Sequence, residues 1–254
     1  MLAKFCTYLY VAFLWGILTT FSLSANRPAI AQSVIAINEI AGVANSNETG
    51  PYVDAIRALR DRIGNDVKIR VYPIKRAVIS LSRSIAFCLF PTSNLMLLEH
   101  NLDPNKYIFS RPVNRARQFI FTTKNAPMIN SIDDLDGKIL GYRLGWHIAE
   151  KLREKSSFTM LPAQSDLHLY NLAHQDRIDA ILGWVPDFNL LYEAERLPPL
   201  THNPSLIIEE VAEHIACHNK PMAKQFIQKI DLAIEDMEKT GELKKILGPA
   251  WVAK

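Results

Sequence analysis

Few side chains in this sequence sit at spacings that make chemistry on their own. Arg143, Gly145, Trp146 and His147 follow the apolar run Lys138–Tyr142 and open a stretch with helical spacing to about Lys155. A strand end that turns into a helix offers unpaired backbone N–H groups and the positive end of a helix dipole. These four residues are therefore candidate contacts for an anionic group. The competing account has Trp146 packing and His147 capping. His214 and His218 are four apart but flank a segment of strand character, so they do not share a helix face as a metal-binding pair would. Asp133, Asp134 and Asp136 crowd the segment Ser131–Gly137, which has the look of a capped helical turn. No H-E-x-x-H, G-x-S-x-G, Walker A or C-x-x-C pattern occurs. No catalytic residue, metal or cofactor is expected.

Charge and length narrow the classes further. The N-terminus has Lys4, then a mostly apolar run from Phe5 to Leu23, then Arg27-Pro28 and the small-residue exit Ala29-Ile30-Ala31. These are the parts of a secretory signal peptide, with cleavage expected before Gln32 and a periplasmic destination. A retained membrane anchor is the alternative, because the apolar run approaches the ~20 residues that span a bilayer. Removing residues 1–31 takes the charge from 29 basic and 26 acidic residues to 27 and 26. Such a balance, without blocks of like charge, does not suggest a nucleic-acid partner. Cys6 lies in the signal segment, which leaves Cys88 and Cys217.

The elements that must position these residues alternate between apolar runs and amphipathic stretches. Val34–Ile37 reads as a buried strand, Tyr52–Ile63 as a helix stopped by Gly64, and Val67–Tyr72 as a strand. Ile74–Ser84 follows Pro73 as a helix, and Ile85–Phe90 is a strand bounded by Pro91. A second cycle runs through strand Gln118–Thr123, strand Lys138–Tyr142, helix Leu167–Gln175 and strand Ile178–Leu182. His214–Cys217 resumes a strand, and helices Met222–Lys239 and Glu242–Leu247 close the chain. Alternating strands and helices predict an α/β fold with a largely parallel sheet, in two cycles and a return segment.

Several segments, in order, resemble the bacterial extracellular solute-binding proteins of family 3, periplasmic receptors best known for polar amino acids. They are Gly50-Pro51-Tyr52-Val53-Asp54, Phe109-Ser110-Arg111-Pro112, Ile132–Lys138 with Leu140–Gly145, Arg177-Ile178-Asp179-Ala180, and Thr240-Gly241-Glu242-Leu243. The resemblance implies a two-lobe periplasmic-binding-protein-like (type II) fold with mixed sheets and two crossover strands. One lobe would hold residues 32–121 plus 214–254, and the other 122–213, with ligand in the cleft between them. It places Asn38, Glu39 and Thr92 at that cleft, and gives the turn at Arg143–His147 a role in ligand contact. Lys75 and Arg76 are candidates for a positive rim, or for a solvated helix face.

Two positions depart from the family pattern. The arginine that meets a ligand carboxylate is replaced by Leu97, and the aspartate that meets the α-amino group by Trp184. Trp184 then offers an aromatic wall. Unpartnered charges are costly to bury, so a standard α-amino acid is not the expected ligand. The resemblance also places Cys88 and Cys217 on adjacent strands, with two free thiols expected ahead of a disulfide. The expected role is a monomeric, non-enzymatic capture of a small-molecule solute, delivered to a membrane ABC permease. A dehydratase-like periplasmic enzyme on the same fold and a degenerate non-binding homologue are the alternatives. A membrane-tethered sensor is disfavoured, because no further apolar segment follows Trp251.

Overall fold

The computed structural model describes residues 33–144, 148, 152, 154, 155 and 157–252. Residues 1–32, including the expected signal segment, and the candidates Gly145, Trp146 and His147 lie outside the described residues. The first part comprises β1 (Val34–Asn38), α1 (Pro51–Arg62), β2 (Lys68–Tyr72), α2 (Ile74–Ser82), β3 (Cys88–Thr92), α3 (Asn94–Glu99) and β4 (Tyr107–Phe109). Next come β5 (Asn114–Thr122), β6 (Ile139–Arg143), β7 (Thr159–Ala163), α4 (Asp166–His174), β8 (Ala180–Val185), α5 (Asp187–Glu195) and β9 (Thr201–His202). The chain returns through β10 (Glu209–His218) and closes with α6 (Pro221–Lys239) and α7 (Glu242–Leu247).

Among the boundaries that differ from the sequence pattern, three have a clear local reason. β3 begins at Cys88 rather than Ile85, because the N–H groups of Ile85 and Ala86 both turn back to the Ser80 carbonyl at 2.9 Å. β5 begins at Asn114, four residues earlier than its apolar run, and its outward Arg115 and Arg117 pair with Glu210 at 2.6 Å. β10 begins at Glu209, and its glutamates mask a half-buried segment, Glu209–Glu213, that pairs with β5. Charged residues on one face of a strand hide it from a hydropathy reading without weakening its ladder.

Among the described residues the strands form one mixed sheet in the order β2-β1-β3-β10-β5-β8-β6-β7, with β4 on β10 and β9 on β5. β1 lies parallel to both β2 and β3, and β6 lies parallel to both β7 and β8. β10 joins the two groups. Its Glu209–Glu213 half pairs antiparallel with β5, and from His214 onward it pairs with β3 and β4. A register irregularity between His214 and Ala216 marks the change of partner.

Alternation sends apolar side chains to both faces of each group, as expected for strands covered on two sides. Ile35 and Ile37 meet Tyr52, Ile56 and Ile230 on one face, while Ala36 meets Leu81, Leu89 and Leu97 on the other. In the second group Phe119, Phe121 and Ile181 pack with Phe188, and Ile120 packs with Leu140 and Leu182 on the opposite face. His214 and His218 are held by the backbone carbonyls of Ser110 and Leu81, both at 2.6 Å.

The cysteines correct an expectation. Cys88 and Cys217 are directly opposed on β3 and β10 with Cα atoms 4.1 Å apart, and they form a disulfide. The close approach of directly opposed antiparallel residues brings the two sulfurs into reach. The bridge ties together segments 129 residues apart. The oxidised, denatured chain starting at Gln32 should therefore titrate no free thiol. Reduction should lower unfolding stability by roughly 2–5 kcal/mol in a urea titration.

Gly183 on β8 carries a second constraint. A Cβ there would stand 2.2 Å from the Phe188 ring, which stacks on Phe121 with centroids 4.8 Å apart. Replacing it by valine should cost about 1–3 kcal/mol, read as a lower urea midpoint at unchanged slope. A midpoint equal to that of the parent protein would show that Phe188 is free to withdraw.

Candidate functional site

A cavity of about 130 Å³ opens where β10 changes partner. Its walls come from the carboxyl ends of β1 and β3, the start of α3, the crossover strands β5 and β10, and the turn from β8 into α5. Ligand sites in open α/β sheets sit at the carboxyl ends of parallel strands, where loops rather than strands form the wall.

The sequence candidates divide cleanly. Asn38, Thr92 and Trp184 line this cavity. Asn38 is 3% exposed and donates through Nδ2 to the Pro91 carbonyl at 2.8 Å, while its Oδ1 has no partner among the described residues. Trp184 is 8% exposed, and its Nε1 likewise has none. Thr92 Oγ1 donates to the Leu89 carbonyl at 3.4 Å. Glu39 does not line the cavity; its N–H extends the β1–β2 ladder by donating to the Tyr72 carbonyl at 2.8 Å. Arg143 lines a smaller depression beside Trp184 and pairs with Asp166 at 2.8 Å. Arg76 lies over the Tyr72 ring, 4.7 Å from its centroid, and like Lys75 is exposed.

Leu97 is not at the cavity. It is fully buried in the core beneath α3, and the α3 wall is made by Leu95, Met96 and Glu99 instead. The position inferred to have lost an arginine thus faces inward, although no lysine or arginine among the described residues lines the cavity.

Sequence reasoning missed two side chains that dominate the site. Asp187, the first residue of α5, and Glu213, on β10, both line the cavity and are 7% and 8% exposed. The proline-terminated strand Val185-Pro186 followed by an acid was the available signal for Asp187, three residues beyond the position assigned to Trp184. Glu213 had no such signal, because it precedes the apolar run taken as the strand.

Burial sets the electrostatics. Glu213 is raised to about 7 by loss of hydration, against the opposing hydrogen bonds from Tyr52 and Asn114. The Tyr52 hydroxyl donates to Glu213 Oε2, and Asn114 Nδ2 donates to Tyr52 Oη at 2.9 Å and to the Ala250 carbonyl at 2.8 Å. Asn114 Oδ1 accepts from Val252 N–H at 3.1 Å. Asp187 is pushed well above the usual carboxylate range, first by burial and then by the nearby Asp166 carboxylate, with Arg143 opposing. Neither Asp187 nor Glu213 has an ion-pair partner among the described residues.

A carboxylate that holds its proton more tightly when folded stabilises the fold below its unfolded pKa and loses that contribution as pH rises through its folded value. For Glu213 this window runs from its ordinary 4.5 to about 7, a loss on the order of 3 kcal/mol. Asp187 adds to it with the same sign. Tm should therefore fall between pH 5 and pH 8, and Glu213→Gln should flatten the slope. Equal slopes in parent and variant would place the titrating group elsewhere.

No protein-family model and no curated protein matches the sequence. Solved structures do match in fold. The GluR0 ligand-binding core from Nostoc punctiforme in complex with L-glutamate superposes with a TM-score of 0.65 at 21% identity, covering 84% of this chain and 96% of that one. AbpA, an amino acid ABC transporter substrate-binding protein from Streptococcus pneumoniae bound to L-arginine, gives 0.63 at 18% identity over 86% and 93%. A mutant of ArgBP from T. maritima gives 0.63 at 14% identity over 85% and 93%. The chain has the two-lobe α/β fold of periplasmic-binding-protein-like domains, with its one mixed sheet curling from the first strand group into the second.

Proposed function

We propose that this chain is an exported solute-binding protein, directed out of the cytoplasm by residues 1–31, that captures a small solute as a monomer for a membrane ABC-type permease. The proposal divides it into one lobe of residues 32–121 plus 214–254 and another of residues 122–213, with closure about β5 and β10. The cavity carries this reading. Asn38 and Thr92 reach it from the group built on β1 and β3, and Trp184 and Asp187 reach it from the group built on β8 and α5. A solute touching both groups favours the arrangement in which they approach, and so converts binding into a shape a partner can read.

The fold neighbours that hold L-glutamate and L-arginine bind amino acids. An α-amino acid is a poor candidate here. Its carboxylate would enter a wall whose described residues include Asp187 and Glu213 and no lysine or arginine. Burying it there lacks the counter-charge that would offset desolvation. Reaction chemistry has no part in this reading, nor has a metal or a nucleic acid.

A thermal-shift screen of amino acids, organic acids, amines and aromatic solutes tests it. A true ligand at a hundredfold excess over its Kd adds about 2.7 kcal/mol, which is several degrees of Tm for a chain of this size. Trp184→Ala should weaken that ligand by roughly tenfold or more, since a buried aromatic anchor is lost. Turnover of a bound solute would move the chain to the enzyme alternative. Failure of every solute class would favour a homologue that has lost binding.

A further inference from the structure

We propose that the solute is a small organic cation, an amine or alkylammonium without a carboxylate, whose charge is met by Asp187 and Glu213. The inference rests on the solute-binding reading and names its ligand class. Two observations carry it independently. The first is the pair of buried carboxylates lining one cavity with no ion-pair partner among the described residues. The second is Asn38 Oδ1, an acceptor on a residue 3% exposed that lines the same cavity and has no donor among the described residues. An ammonium group supplies a counter-charge to Asp187 and Glu213 and a donor to Asn38 Oδ1.

The remaining wall defines the rest of the molecule. Ile40, Ile74, Leu95 and Val211 give the carbon part an apolar surface. Trp184 Nε1 is a buried donor with no acceptor among the described residues, so a neutral oxygen on the ligand, a hydroxyl for example, completes the set. The cavity of about 130 Å³ is on the scale of a small solute, and benzene fills ~150 Å³.

Protonation supports the geometry. Without a cation the site holds protons on its acids, since burial raises both Asp187 and Glu213. The groups acting on Asp187 are Asp166, Arg143 and Glu213, and those acting on Glu213 are Tyr52 and Asn114. Glu99 and His100 also line the cavity. A bound cation stabilises the carboxylates, so binding expels a proton into the buffer and tightens with pH by up to ~tenfold per unit between pH 5 and 7.

Isothermal titration of the purified protein with 4-aminobutanol and choline tests this, with butanol, butyrate and glycine as neutral, anionic and zwitterionic controls. Measurement at pH 6.5 in buffers of different ionisation enthalpy should show release of about 0.5–1 proton per cation bound. Asp187→Asn and Glu213→Gln should each weaken the cations at least tenfold. The proton count comes from the parent protein, so it stands even if a variant misfolds. Butanol, butyrate or glycine binding as tightly as the cations overturns the cation inference and leaves the solute-binding reading intact. Cation binding without proton release, or unchanged in both variants, also overturns it. If no solute of any charge class binds, solute binding and the inference fall together.

Discussion

The antiparallel pairing of β5 with β10 is the constraint on which the rest of the structure depends. Each strand gives its first five residues to the other, and β10 then passes to β3 and β4 within the same extended run. The change of partner falls at Glu213–His214, so a carboxylate is forced into the interior at the seam. Tyr52 and Asn114 satisfy it, and Asn114 also fastens Ala250 and Val252. One buried polar cluster thus ties α1, β5, β10 and the C-terminal segment at the point where two strand groups meet. A network of this kind is stable only while each member keeps its partner.

The disulfide acts on the same seam from the other side. Cys217 lies four residues after Glu213, and its bond to Cys88 anchors β10 to β3 immediately beyond the register irregularity. The second strand group has no such covalent tie among the described residues. It is held by aromatic packing in which Phe121 stacks on Phe188 over the bare backbone of Gly183. The second group is thus held by its strand ladders and this packing, and the cavity lies at the crossover between the two groups.

Much of the fold could be read from the chain. The strand and helix sequence, the Gly64 stop and the Ser131–Asp134 turn are local features, set within a few residues by periodicity and by side chains that bond their own backbone. Asp134 accepts from the N–H groups of Asn130 and Ser131 at 2.8 and 3.1 Å, as the Ser-x-x-Asp spacing suggests. The starts of β5 and β10 were misplaced where charge covers one face, and that of β3 where backbone N–H groups turn back to Ser80. The site was only partly legible. Asn38, Thr92, Trp184 and Leu97 were all placed by the family resemblance; the first three line the cavity, whereas Leu97 faces the core.

By itself the sequence determined the α/β alternation and the near balance of charge, and offered the two cysteines that could meet. These follow from neighbouring residues and composition. Tertiary structure alone decided that Asp187 and Glu213 share a cavity with Asn38, that the cysteines are bonded, and that burial raises both acids. The tyrosine that satisfies Glu213 is 161 residues away in the chain. The loss of hydration that raises both acids comes from walls supplied by distant strands and helices. Charge state and ligand preference depend on that enclosure, and no local pattern of residues can encode it.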